Sequence, residues 1–288
     1  MPELPEVETV RRGLDRILVG KQILSANVLN DKTLQFAHTD LNTFVIGAKV
    51  VAVRRRAKML IIDLDSDYSL LVHLKMTGQM VWRGAESWAA GHPNDSMVGG
   101  LPDRTTRIIF NFDDGQLFFN DQRKFGWIRL YPTNTLGDTP ELAKLGPEPL
   151  TSDPTVSFLR RIRRHPRTSI KAAILNQQVI VGVGNIYADE SLWLAKVHPQ
   201  TRVEGLSDDE LLHLLECIQK SLQAGLNSGG STMRNYVRVD GTRGNYLDKF
   251  AHVYGREGEP CDRCGHEIIK IKVAGRGTHI CPNCQKLR

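Results

Sequence analysis

Four of the chain's five cysteines stand as Cys261-x2-Cys264-x16-Cys281-x2-Cys284. Two Cys-x2-Cys pairs separated by a short segment suit a closed tetrahedral Zn²⁺ site. Four thiolates leave no open coordination position, so such a metal is structural. Two disulfides are the competing reading. The N-terminus, however, lacks the basic-then-apolar pattern of a secretory leader, because Glu3, Glu6 and Glu8 stand where a leader is basic. This predicts a cytoplasmic protein whose thiols stay reduced, and therefore one structural Zn²⁺. The remaining Cys217 falls on the apolar side of a helical stretch and reads as a buried small residue.

Between the pairs runs EIIKIKVAGRGTHI, where Lys270 and Lys272 alternate with Ile271 and Val273. That period is a two-stranded hairpin, and Gly275 and Gly277 around Arg276 let its turn approach a ligand closely. The hairpin reads as a nucleic-acid probe or as a solvated basic surface. Charge distribution bears on the choice. The net charge is +6: residues 1–150 hold 18 Lys+Arg against 18 Asp+Glu, and residues 151–288 hold 20 against 14. A basic second half suits a polyanion partner, nucleic acid first, although many basic proteins carry such charge only for solubility. No apolar run is long enough for a membrane span.

The chain begins MPELPEVETVRRGLDRIL, in which Val7, Val10, Leu14, Ile17 and Leu18 form a helical stripe ended by Gly20. From about Ile23 to Tyr131 the pattern becomes short strands, ILSANVLN, AKVVAVRR, MLIIDLD, SLLVHLK, RIIFNF, QLFFN and WIRLY, which predict a sandwich or barrel. Residues 84–103 read as a long Gly/Pro/Asn loop. Residues 132–154 hold five of the thirteen prolines and read as a linker. Helices are expected at 155–164, 169–178, 186–195 and 207–226, the last opened by a Ser207/Glu210 capping box. The expected domains are 2–132, a linker at 133–154, 155–248 and 249–288.

Other clusters stay ambiguous one by one. RRRAK (54–58) and RRIRRHPR (160–167) suit phosphate contact or plain solvation. HLKMTG (73–78) and NDQRKFG (120–126) place Met76, Arg123 and Phe125 at turns, where they suit a duplex wedge or a core. VGVGNIYADE (181–190) is a Gly-rich turn into a helix that could hold a phosphate, without the dinucleotide fingerprint.

Together, PELPEVE (2–8), Lys58, HLKMTG, RKFG, GVGNIYADE and the four-cysteine tail with its GRGT turn resemble the bacterial formamidopyrimidine-DNA glycosylases, across nearly the whole chain. The opening heptad favours this branch over the related endonuclease VIII. The resemblance implies an α+β fold, with a β-sandwich carrying the N-terminal helix. After it come a helix–two-turn–helix domain and a zinc-finger β-hairpin. The resemblance also implies a monomeric enzyme that excises oxidised purines (8-oxoguanine, formamidopyrimidines) from double-stranded DNA and cleaves the strand, also at abasic sites.

In that family the initiator Met is removed and the exposed proline, here Pro2, is the nucleophile. An α-amino group with pKa of about 7.7–8.0 is partly neutral at pH 7, as a lysine at about 10.4 is not. By resemblance Glu3 is the general acid at the sugar ring oxygen and Glu6 orients the site. Lys58 and Arg276 serve the β- and δ-eliminations. Met76, Arg123 and Phe125 fill the gap left by the flipped nucleotide. His73, Arg104, Arg167, Asn185, Tyr254 and Lys270 contact DNA, and residues around 229–248 close over the damaged base. Arg104 stands where a histidine is common, and Gln122 where a proline is frequent. The alternative is a non-catalytic zinc protein that binds damaged or distorted DNA.

Overall fold

The computed structural model describes residues 1–92, 94–150, 153–229 and 251–287, which fall into two compact units. Residues 1–2 and 6–143 belong to the first; residues 3–5, 144–229 and 251–287 belong to the second. The segment expected to close over the base lies, beyond residue 229, outside the described residues. The architecture is the expected α+β one.

Helix α1 (Leu4–Leu18) opens the chain, and Gly20 leaves it at φ +87°, a left-handed conformation that suits glycine. Its stripe Val7, Val10, Leu14 and Leu18 is buried in the core of the first unit. That core lies between two antiparallel sheets. One has the order β1 (Ser25–Val28), β7 (Thr106–Phe112), β8 (Gly115–Asp121), β5 (Gly78–Gly84), β6 (Ser87–Gly91). The other runs β2 (Val50–Arg56), β3 (Met59–Leu64), β4 (Tyr68–His73), β9 (Trp127–Pro132). Leu60, Ile62, Leu70 and Val72 of the second sheet share one apolar cluster with Met80, Ile108, Phe110 and Phe119 of the first. The alternate side chains of paired strands thus face inward, as in a sandwich.

The stretch 84–103 is not simply a loop. Its Ser87–Gly91 is an edge strand paired to β5, with Val81 opposite Ala89 and Trp82 opposite Trp88. Beyond Gly91 the chain turns back over the outer face of the sheet, where Met97 packs with Val81, Ile109 and Phe118. Gln79 and Asn94 fasten it at 2.8 Å, and Ser96 donates to Asp103 at 2.5 Å. The segment is a cover that keeps the second face of the sheet dry.

In the second unit, beyond the short α2 (His38–Asp40) of the first, α3 (Thr155–Ile162), α4 (Ile170–Leu175), α5 (Asn185–Leu194) and α6 (Asp208–Asn227) bury one cluster that includes Phe158, Ile174, Tyr187, Leu214 and, from the start of the chain, Leu4. The predicted capping box of α6 is present: Glu210 N–H donates to Ser207 Oγ at 3.2 Å, and Ser207 N–H to Glu210 Oε2 at 2.9 Å. The hairpin of β10 (Ile269–Val273) and β11 (Arg276–Ile280) comes last, with Val273 opposite Arg276.

Candidate active site and metal centre

Glu3 is almost completely buried, 3% exposed, and its carboxylate sits at the N-terminus of α5. It accepts the backbone N–H of Gly184 at 2.7 Å, of Ile186 at 3.0 Å and of Tyr187 at 3.3 Å. These are the orphan donors of a helix start, which favour an anion. The glycine-rich turn read as a phosphate cradle therefore holds a carboxylate of the same chain. Glycine is required there: a Cβ at 184 would lie 2.3 Å from Glu3 Cδ, and one at 182 would lie 2.5 Å from Leu4 Cδ1.

Around α5 the second unit gathers further polar groups. Asn185 Nδ2 donates to Gly277 O at 3.0 Å, just past Arg276. Arg276 is exposed at the hairpin turn, after Ala274 and Gly275 at positive φ. Burial pushes the Tyr254 phenol up, against a hydrogen bond with Asn185 that lowers it. Glu190, fully buried, accepts the N–H groups of His252, Val253 and Tyr254, and so fixes the segment bearing Tyr254. Beneath lies a pair that sequence reading missed. Lys171 Nζ donates to Asp189 Oδ1 at 2.5 Å and to Thr278 Oγ1 at 2.7 Å, with both members of the ion pair fully buried. Burial pushes the Lys171 amine down; Asp189 opposes this. Asp189 Oδ2 also accepts His279 N–H at 2.9 Å, which ties β11 to α5. A lysine inside the apolar run IKAAIL was the available signal. Lys270, exposed on β10, lies 3.8 Å from Glu257, and Arg167 is exposed between α3 and α4.

The first unit holds the rest. Pro2 is buried and Glu6 half-buried at the start of α1. Lys58 is buried after Ala57, whose φ of +56° makes the tight β2–β3 turn. The arginine burst before it is mostly neutralised within the unit. Arg54 grips Asp63 through two bonds of 2.5 and 2.8 Å. Arg55 donates to Glu8 at 3.1 Å and to Ala57 O at 2.9 Å. Burial alone would raise the Glu8 carboxyl, but Arg11 and Arg55 outweigh it and hold it below its usual range.

His73 ends β4. Burial, then the charges of Lys75 and Lys58, push it down to about 3. It is a neutral ring at pH 7, and its Nδ1 accepts Lys75 N–H at 2.9 Å. Met76 is 38% and Phe125 54% exposed, and the Arg123 guanidinium lies 4.9 Å from the Phe125 ring centre. These are surface residues of loop tips, not core. Sequence reading missed what holds them: Asp121, fully buried, accepts from the Thr77 hydroxyl, from Arg123 N–H at 3.2 Å and from Gly126 N–H at 2.6 Å. Arg104 is exposed.

The sulfurs of Cys261, Cys264, Cys281 and Cys284 all lie within 4.8 Å of one another, with Cys264–Cys281 and Cys264–Cys284 at 3.4 Å. Zinc–sulfur bonds of about 2.3 Å in a tetrahedron place sulfurs about 3.8 Å apart. None of the four is in a disulfide, so the cluster fits one structural Zn²⁺.

Three family profiles match in series: the formamidopyrimidine-DNA glycosylase N-terminal domain over residues 1–128, its H2TH domain over 145–237, and a zinc finger found in FPG and IleRS over 258–287. A formamidopyrimidine-DNA glycosylase of Pediococcus pentosaceus is 41% identical over 289 aligned residues, covering 100% of both chains. The chain belongs to the formamidopyrimidine-DNA glycosylase family. Among solved structures, the Lactococcus lactis family member in complex with abasic-site DNA is similar at TM-score 0.86 and 36% identity, covering 99% of each chain. The same wild-type protein with N7-benzyl-Fapy-dG-containing DNA gives TM-score 0.86 and 36% identity, over 99% of this chain and 100% of that one. Among the described residues, no helix of this family member is long and apolar enough to cross a membrane.

Proposed function

We propose that the chain is a DNA glycosylase and abasic-site lyase that removes oxidised purines from duplex DNA. The observation that carries this reading is the Glu3 carboxylate, fixed by three backbone N–H groups and directly following Pro2. With Met1 attached, the Pro2 nitrogen is an amide; once Met1 is removed it is a secondary amine that can attack C1′. The C1′–base bond breaks as the nitrogen–carbon bond forms and the nitrogen sheds its proton; Glu3 then gives a proton to the sugar ring oxygen and the C1′–O4′ bond breaks, which opens the ring. The resulting iminium draws electrons from C2′. Proton loss there expels the 3′ phosphate, and a further elimination expels the 5′ phosphate.

Lys58 and Arg276 serve these two eliminations, and Glu6 orients the site. Met76, Arg123 and Phe125 occupy the gap left by the everted nucleotide, since C1′ and the lesion are out of reach inside a duplex. His73, Arg104, Arg167, Asn185, Tyr254 and Lys270 contact the DNA backbone. As a neutral ring, His73 contributes an N–H rather than a charge. The domain limits implied by this reading are 2–132, 155–248 and 249–288, and its place of work is the cytoplasm with the chromosome.

The test is borohydride trapping on a duplex with one 8-oxoguanine opposite cytosine, using protein confirmed by mass to begin at Pro2. The expected result is a covalent adduct at Pro2 that disappears in Pro2→Gly. Tight binding with neither adduct nor strand cleavage would replace this reading with a non-catalytic binder of distorted DNA.

A further inference from the structure

Helix α5 reaches the metal centre at its far end. Trp193 is 4% exposed, and its indole Nε1–H donates to Cys261 Sγ at 3.3 Å. Two groups pack on the ring. His252 stacks on it at 4.3 Å between centroids and 17° between planes. The Arg263 guanidinium lies 3.9 Å from the ring centre, and its Nη1 donates to Trp193 O at 3.0 Å. Trp193, Val253, Ile268, Cys261 and Cys281 form one apolar cluster. The indole is thus clamped with its single donor aimed at one sulfur of the cysteine cluster.

We infer that Trp193 is an outer-sphere partner of the zinc site, whose N–H stabilises the Cys261 thiolate and slows loss of the metal. The physical basis is charge. Four thiolates around one Zn²⁺ carry a net charge of about −2. A donor placed on a thiolate in a low-dielectric cluster offsets part of that charge. An indole is well suited, since it has one donor and no acceptor and its large ring keeps water from the sulfur. The consequence reaches beyond the finger. The helix that begins at the Glu3 carboxylate ends in a hydrogen bond to a metal ligand, so one rigid element spans both.

The test uses the full chain loaded with zinc or with cobalt(II), comparing Trp193→Phe with Arg263→Ala. Phenylalanine keeps a smaller aromatic ring and deletes the donor; the alanine variant leaves the donor and removes a group packed on the ring. Release of zinc to a chromogenic chelator should be faster by about tenfold or more in Trp193→Phe, the range expected for loss of an outer-sphere partner. In the cobalt form, the sulfur-to-metal charge-transfer band of Trp193→Phe should move to longer wavelength, because the sulfur lone pair rises in energy. Its ligand-field bands should stay tetrahedral. Arg263→Ala should keep the wild-type charge-transfer band. The proposal is overturned if Trp193→Phe keeps both the wild-type release rate and the wild-type band, or if Arg263→Ala shifts the band equally. A shift to longer wavelength in Arg263→Ala, whose donor is intact, overturns it even where Trp193→Phe cannot be loaded. Neither readout depends on DNA cleavage, so the proposed enzymatic function stands or falls separately.

Discussion

The Asp121 carboxylate accepts the backbone N–H of Gly126 at 2.6 Å, closing the loop that carries Arg123 and Phe125. Its other oxygen takes the Thr77 hydroxyl, one residue past Met76. One buried anion therefore fastens both exposed loop tips. Asp121→Asn would set an amide donor against a donor. It should lower stability by about 1–3 kcal/mol and lesion excision by about 100-fold, since small misplacements are costly. Cleavage of a preformed abasic site should fall much less. Single-turnover rates on the two substrates check this, and an equal loss on both would refute a role specific to the wedge.

Glu3→Gln keeps the side-chain shape but turns one acceptor into a donor at the start of α5. Excision of 8-oxoguanine should drop by about 100-fold or more, the usual contribution of a positioned proton-transfer group. Thermal unfolding should report a loss of about 1–3 kcal/mol. Retention of wild-type excision would remove Glu3 from the chemistry.

The Lys171–Asp189 pair is fully buried. Breaking it with Lys171→Met strands a carboxylate and should destabilise the protein by about 3–5 kcal/mol. Lys171→Met combined with Asp189→Leu should recover most of that loss. Denaturant unfolding of the four species gives the coupling energy, and strictly additive losses would contradict a pair.

His73 makes stability depend on pH with a definite sign. Its native-state value is depressed from 6.5 to about 3, so the unfolded chain binds this proton first. The contribution is complete above pH 6.5 and is lost as pH falls toward 3. At pH 4.5, two units below the unfolded value, about 3 kcal/mol should be gone. His73→Asn should flatten that part of the curve. Melting temperatures of both proteins from about pH 7 to 4.5 would show it; parallel curves would argue against it.

Removal of zinc should unfold the hairpin locally. The β10–β11 amides should lose protection from hydrogen exchange while β3 and β4 amides keep theirs, because binding energy at a structural site is folding energy. Unchanged β11 protection after complete chelation would mean that packing alone holds the finger.

Local pattern made much of this legible. The Val7/Val10/Leu14 stripe, the β-branched runs, the Ser207 capping box and the cysteine spacing each carry their own geometry. The edge strand Ser87–Gly91 did not show, because SWAAG has neither a branched run nor a clear alternation; its pairing with β5 supplies what propensity lacks. The arginines of RRRAK could not be divided into paired and unpaired without knowing that Asp63 and Glu8 lie beside them. The Glu3 carboxylate was legible as a candidate acid, but its seat was not. Gly184 is 181 residues from Glu3, and no window of sequence joins them.

That separation has a consequence for how the protein is made. Leu4, fully buried, and Glu3 complete the core and the first turn of α5 in a unit that is otherwise assembled from residue 144 onward. On the ribosome these two residues must stay unseated while some 180 more are added, roughly ten to forty seconds at ordinary elongation rates. During that interval the first unit can form its sheets, but the second lacks its anion and part of its core. Glu3, made long before Gly184, is among the last residues to find its place.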